Sequence, residues 1–147
     1  MDLNTLLPPD RIVASLRAAD KGQLLTELAW RASSVTGIPK QDILEGLLTR
    51  EALGSTGIGG GVAIPHARFL NLKNFFALFV RLERGLDFEA IDGQPVDLVC
   101  LLLVPTHAAG EHLRALACIS RPLRDPIMLA SLRQAETASA LHAVLSN

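Results

Sequence analysis

Between Arg50 and Arg68 the chain reads R-E-A-L-G-S-T-G-I-G-G-G-V-A-I-P-H-A-R, and five of its eleven glycines fall between Gly54 and Gly61. The run closes on one histidine, His66, fixed behind Pro65. A glycine-dense loop lets backbone N–H groups converge on an anion where side chains would obstruct them. A histidine at the end of such a loop has donors close by for any anion it carries. This stretch is the expected functional site.

Several chemistries fail on local context. A dinucleotide fingerprint needs G-x-G-x-x-G between a strand and a helix. Here Gly57, Gly59 and Gly61 give G-x-G-x-G after a helical pattern and before a strand-like one. A P-loop needs G-K-[ST], and no lysine lies between Lys40 and Lys73. Ser55 sits in L-G-S-T-G, not in the G-x-S-x-G of a nucleophile elbow. A Ser55–His66 pair remains open on sequence alone, without a visible third member. For metal binding, His107 and His112 are five apart, which places them on different faces of a helix, unlike an i,i+4 ligand pair. His107 reads as solvated, in the loop before that helix, and His142 as surface or partly buried filler. The expectation is therefore no metal and no cofactor.

What remains is His66 as a nucleophile toward phosphorus. Neutral imidazole keeps a free lone pair near pH 7, given an unperturbed pKa of about 6.5. Phosphoryl transfer asks for little covalent work from a protein and much positioning of charge. The loop N–H groups (Gly54 and Gly57 among them), the Ser55 and Thr56 hydroxyls and the Arg50 guanidinium are suitable donors to phosphate oxygens. No acidic residue lies between Glu51 and Glu83 to repel the phosphate.

The elements that must hold these residues follow from periodicity. Asp2–Pro9 reads as a short helical turn and Arg11–Leu16 as a short strand. Asp20 with Gln23 has the spacing of a capping box, and Leu24, Leu25, Leu28, Ala29 and Ala32 follow at helical intervals until Gly37. Trp30 projects from another side of that helix and is expected to cover an edge of the fold. Pro39 suits the first turn of a second helix, ending near Leu53, with Ile43, Leu44, Leu47 and Leu48 as its apolar stripe. Arg50 continues that stripe. By itself it reads as a dipole-favoured arginine snorkelling to water; the functional alternative is a guanidinium aimed over the loop toward His66. Short strands are expected at Gly61–Ile64, Phe75–Leu82 and Val96–Val104, the last two apolar on both sides and so central. Four of the five phenylalanines lie between Phe69 and Phe79, a core signature. Ala108–Leu123 reads as a helix with Leu113, Leu116, Ala117 and Ser120 on one face. His112 shares a face with Leu116 and Ile119, and its ordinary reading is a core-edge histidine. Helices follow at Pro126–Leu132 and Thr137–Leu145. The order β-α-α-β-β-β-α-α-α, with helices around a mostly buried sheet, predicts a three-layer α/β fold.

Composition agrees with one well-packed domain over residues 1–147. The chain is 49% hydrophobic and 20% charged, with 14 basic against 15 acidic residues. No basic patch points to nucleic acid, and the longest apolar run, Leu98–Val104, is too short to span a bilayer. The first residues carry no basic, cleavable leader. Cys100 and Cys118 sit among apolar neighbours and read as buried free thiols of a cytoplasmic protein.

The Arg50–Ala67 wording resembles the active-site signature of IIA domains of the fructose/mannitol family of the bacterial phosphoenolpyruvate-dependent phosphotransferase system. Further matching pieces are F-x-A-I-D-G-Q-P-V-D-L at Phe88–Leu98, L-L-V-P at Leu102–Pro105 and His112-Leu113. Within the family the length and the L-G-S-T-G-I-G wording are most similar to the nitrogen-related, regulatory branch. The resemblance implies a single IIA (type 2) phosphocarrier domain, an α/β/α sandwich on a small mixed sheet. It implies that His66 accepts a phosphoryl group from an HPr-like phosphocarrier protein, with Arg50 and His112 beside it and Ser55 and Thr56 in the same pocket. Its further partners would be regulated target proteins, or a IIB protein in a sugar-uptake role. It would be a phosphotransferase component without a small-molecule activity of its own.

Overall fold

The computed structural model describes residues 1–146. Its centre is a pair of long antiparallel strands, β5 (Phe76–Leu86) and β6 (Val96–Pro105), in register from Phe76 opposite Leu103 to Arg81 opposite Leu98. Both strands are apolar on successive residues because helices cover both of their faces. Along β6, Val99, Leu101 and Leu103 enter one core while Leu98, Cys100, Leu102 and Val104 enter the other. Strand β1 (Ile12–Leu16) adds to β5 in parallel. On the far side of β6 run β3 (Val62–Ala63) and then β4 (His66–Phe69), both parallel to it. β2 (Gly57–Gly59) folds back antiparallel on β3, completing a mixed six-stranded sheet.

One face of the sheet carries α2 (Lys21–Thr36) and α3 (Lys40–Ala52); Leu24, Leu25, Leu28, Ile43 and Leu47 are buried against it. The other face carries α1 (Leu3–Leu6), α4 (Ala109–Ser120), α5 (Pro126–Gln134) and α6 (Ala138–Ser146). The result is the expected three-layer α/β/α arrangement. α2 begins with a variant of the capping box: the Asp20 carboxylate accepts from the Gln23 N–H at 2.8 Å, and the Gln23 amide oxygen accepts from the N–H of Ala19, one residue before the cap, at 3.0 Å. It ends at Gly37, which takes the left-handed conformation at φ 79°.

Four expectations need correction. β2 and β4 are strands where only a loop and a short strand over Gly61–Ile64 were expected. A three-residue G-I-G strand and the H-A-R-F strand have little intrinsic β-preference, and pairing with β3 and β6 supplies it. Helix α4 buries Ala115 and Ile119, whereas Leu113 is 74% exposed. The 113–119 segment is apolar nearly all round, so its periodicity does not choose between neighbouring faces. Trp30 is exposed and does not cover an edge, and Leu48, expected in the apolar stripe of α3, is exposed as well, because both project from the outer side of the α2/α3 layer. Cys100 is fully buried, but Cys118 is only half-buried.

The glycine loop packs hard against the 88–92 turn. A Cβ at Gly57 would lie 2.7 Å from the Ala90 Cβ and 2.8 Å from the Ala90 Cα, so only glycine fits there. Gly57→Ala should lower stability by about 1–3 kcal/mol through overpacking. Urea unfolding checks this: the midpoint should fall with the slope unchanged.

Candidate functional site

His66 opens β4, opposite Leu102 of β6. Side chains alternate along a strand. Ala67 and Phe69 therefore turn toward α3, where a Cβ on Gly46 would meet both of them. His66 and Arg68 leave from the other face. Pro65, which has no N–H to give, interrupts the ladder between β3 and β4, while its carbonyl still accepts from the Leu102 N–H at 3.0 Å. His66 thus enters from a short, paired strand with a proline behind it, a well-fixed backbone for a reactive side chain.

The ring is fixed as well. Nδ1 lies 2.8 Å from the Ile64 carbonyl oxygen. A carbonyl can only accept, so Nδ1 carries the proton and Nε2 is left with its lone pair. His112, on the first turns of α4, stands beside it, with ring centroids 5.8 Å apart and planes inclined at 72°. The Nε2 of His112 is buried and has no hydrogen-bond partner among the described residues. Arg50, in the last turn of α3, donates through Nη1 to the Gly54 carbonyl at 2.8 Å, which bends the guanidinium back over the helix end. Gly46, Thr49, Arg50, Leu53, His66, Ala67, Arg68 and His112 line an open cleft of about 440 Å³ between α3, β4 and α4. A larger groove of about 750 Å³ lies between α2 and α3 beside Trp30 and Leu48, but no histidine lines it. Chemistry, not volume, selects the smaller cleft.

The setting keeps both histidines neutral. The pKa of His66 is lowered chiefly by burial, with the nearby Arg50 charge adding to it, against the raising effects of the Ile64 bond and Glu51. That of His112 is lowered by burial, then by the charges of Arg68 and His66.

Residues 5–147 match the model of the family described as the phosphoenolpyruvate-dependent sugar phosphotransferase system, EIIA 2. The chain belongs to this EIIA 2 family. A nitrogen regulatory protein of Bradyrhizobium diazoefficiens is 47% identical over 146 residues, covering 99% of this chain and 95% of that one. The crystal structure of the nitrogen regulatory protein IIA-Ntr from Neisseria meningitidis superposes with a TM-score of 0.92 at 35% identity, covering 97% of this chain and 98% of that one. The enzyme IIA of the Escherichia coli mannitol system, solved in complex with phosphorylated enzyme IIB, shares the fold with a TM-score of 0.78 at 17% identity, covering 93% and 94% of the two chains. This EIIA 2 chain is therefore a phosphotransferase-system component, similar above all to regulatory, nitrogen-related members. Among its described residues no helix is long and apolar enough to cross a membrane.

Of the expected site residues, the EIIA 2 fold brings together His66, Arg50 and His112. It does not bring the loop donors to them. The Ser55 hydroxyl donates to the Phe88 carbonyl at 2.9 Å and accepts from the Gly57 N–H at 3.0 Å. Thr56 is buried, and both its N–H (3.0 Å) and its hydroxyl donate to the Glu51 carboxylate. The Gly54 N–H donates to the Glu51 carbonyl at 3.1 Å. Ser55, Thr56, Gly54 and Gly57 are thus occupied in holding the loop to α3 and the 88–92 turn. None of the four lines the cleft.

Two positions at the site escaped the sequence reading. Arg68 enters the cleft because β4 is a strand, and the His66/Arg68 spacing of two was the available signal. Glu51 is the second: its side chain is 5% exposed and lies 3.1 Å from the Lys21 ammonium, which also stacks 4.5 Å over the Phe88 ring. This carboxylate ties α2, α3 and the loop together, and its charge is spent on Lys21 and Thr56. No local sequence signal marks it, since its partners are 30 residues upstream and in the loop.

Two outcomes follow from these contacts. Glu51→Ala leaves the Lys21 ammonium only the exposed Glu89 at 3.5 Å and strands two Thr56 donors, and should cost about 3 kcal/mol in chemical denaturation. Because burial lowers both histidine pKa values, the native state binds fewer protons than the unfolded chain once pH falls below about 6.5. Stability from these groups is complete above that pH and is lost as pH drops toward the lowered native values. Imidazole NMR titrations should place both midpoints below 6.5.

Proposed function

We propose that this chain is a regulatory phosphocarrier that holds a phosphoryl group on His66 Nε2, taken from the phosphohistidine of an HPr-like carrier protein. The observation that carries this reading is the 2.8 Å contact from Nδ1 to the Ile64 carbonyl, which directs the unprotonated Nε2 lone pair into the cleft. In the transfer, that lone pair forms a new N–P bond in line as the donor's P–N bond breaks, and the departing pair returns to the donor imidazole. The His66 ring then carries a positive charge, which strengthens the Nδ1–H bond to Ile64. Arg50 meets the charge that spreads over the phosphoryl oxygens. His112, neutral and with Nε2 unpaired, supplies a further donor to one oxygen when that nitrogen holds the proton.

The regulatory assignment rests on the 47% identity to a nitrogen regulatory protein across almost the whole chain. Phosphorylation places a group of about −1.5 to −2 charge in the cleft of a chain whose net charge is −1, enough to change which partner surface fits around it. The protein would then act in the cytoplasm by binding target proteins in one phosphorylation state. The mannitol IIA–IIB complex favours a second reading, in which the phosphoryl group passes to a IIB protein for sugar uptake. Uptake of fructose or mannitol in a deletion strain separates the two: it should be unimpaired.

Incubation with enzyme I, an HPr-type carrier and phosphoenolpyruvate, followed by intact mass, should add one phosphoryl group to wild type and none to His66→Ala. Arg50→Ala should accept the group roughly 10²–10³-fold more slowly, as expected for a lost transition-state donor. An unmodified wild type, or a modified His66→Ala, would overturn the assignment.

A further inference from the structure

Arg68 is the side chain in the cleft whose duty the fold leaves unexplained. It leaves β4 on the same face as His66, two residues on, about 7 Å along the strand. Its backbone is held opposite Val104 of β6, and its neighbours Ala67 and Phe69 are packed toward α3 beside Gly46. The strand cannot slip without turning Phe69 out of the core. The face from which Arg68 leaves the strand is therefore as firmly set as that of His66.

Its guanidinium, in contrast, has no hydrogen bond or ion pair with any described residue. Several other arginines of the chain are committed: Arg81 to the Ala14, Leu132 and Ala135 carbonyls, Arg133 to Asp97 and the Gly60 carbonyl, Arg17 to Glu83, Arg31 to Glu27; of those left without such a bond, Arg68 is the one that lines the cleft of His66. Arg50 has already placed Nη1 on Gly54. Arg68 thus brings to the cleft a complete planar fork, the geometry that matches two phosphate oxygens at once. The carboxylate whose charge acts on His66, Glu51, is neutralised by Lys21 and occupied by Thr56, so it does not compete for the fork.

We propose that Arg68 is the principal phosphoryl-holding residue, clamping the oxygens of the group on His66 Nε2 with both arms, while Arg50 acts mainly on the group in flight. This rests on the reading of His66 as the phosphoryl acceptor. Two oxygens of a dianion on Nε2 then face a guanidinium two residues along the same face of β4, and the phosphorylated state is stabilised relative to the donor's.

The test is made on the isolated phosphorylated protein, without its donor. In ³¹P NMR, Arg68→Ala should shift the second ionisation of the phosphoryl group upward by about one pH unit or more, since a paired guanidinium favours the dianion. At equilibrium with the HPr-type carrier, the phosphoryl group should move toward the carrier by roughly tenfold to a hundredfold. Arg68→Lys should recover part of both effects, keeping the charge but not the fork. Unchanged ionisation and equilibrium in Arg68→Ala would overturn the proposal. So would a variant altered only in KM for the carrier, since that result makes Arg68 a docking contact. His66→Ala serves as the blank. A wild type that takes no phosphate removes the acceptor reading itself, a failure distinguishable from an ordinary signal that Arg68 does not influence.

Discussion

Strand β6 is the constraint on which the rest depends. Nine of its ten residues are buried, and it is paired on both sides, to β5 and to β3 and β4. Each such Leu or Val contributes about 1.5–3 kcal/mol by leaving water, so its alternation cannot be shifted cheaply. The pairing of β3 and β4 with β6 keeps the same offset before and after Pro65, from Val62 opposite Leu98 to Phe69 opposite Pro105. A one-residue slip would bury the His66 and Arg68 side chains against α3 and expel Ala67 and Phe69. The orientation of the reactive histidine is thus enforced by the hydrophobic core and not by anything in the cleft.

The charges around the site are arranged in two tiers. Glu51, Lys21 and Thr56 form a nearly water-free cluster beneath the glycine loop, where a carboxylate, an ammonium and two donors satisfy one another. Breaking such a cluster is costly because each remaining group would be left polar and unpaired. Above it, in the open cleft, lie Arg50 and Arg68 with no carboxylate bound to either. The lower tier ties the loop to two helices; the upper tier is left for a ligand.

The setting of His66 also favours its neutral form. Burial makes the His66 ring lose its proton more readily, and the Arg50 charge pushes the same way. The Ile64 carbonyl then decides which nitrogen remains bare. In the proposed phosphocarrier role the ring would become cationic on phosphorylation, and the same carbonyl would then act as a charge-stabilising acceptor.

Much of this molecule was legible in the residues alone. Local chemistry determined the capping box at Asp20 and Gln23, the left-handed stop at Gly37, the doubly apolar strands around Phe79 and Leu101, and the singling out of His66 by the glycines and proline before it. Such features depend on contacts within a few positions, which is what sequence spacing records. The tertiary structure alone decided that H-A-R-F is a strand, that Leu113 faces water while Ile119 is buried, and that Ser55, Thr56, Gly54 and Gly57 brace a loop. It also decided that Glu51 meets Lys21 and that Arg68 stands over the His66 side of the sheet. These outcomes rest on partners distant in the chain: β6 supplies the ladder that H-A-R-F cannot nucleate, and the Phe88 carbonyl and the Glu51 carboxylate engage hydroxyls that, by type alone, looked free for phosphate.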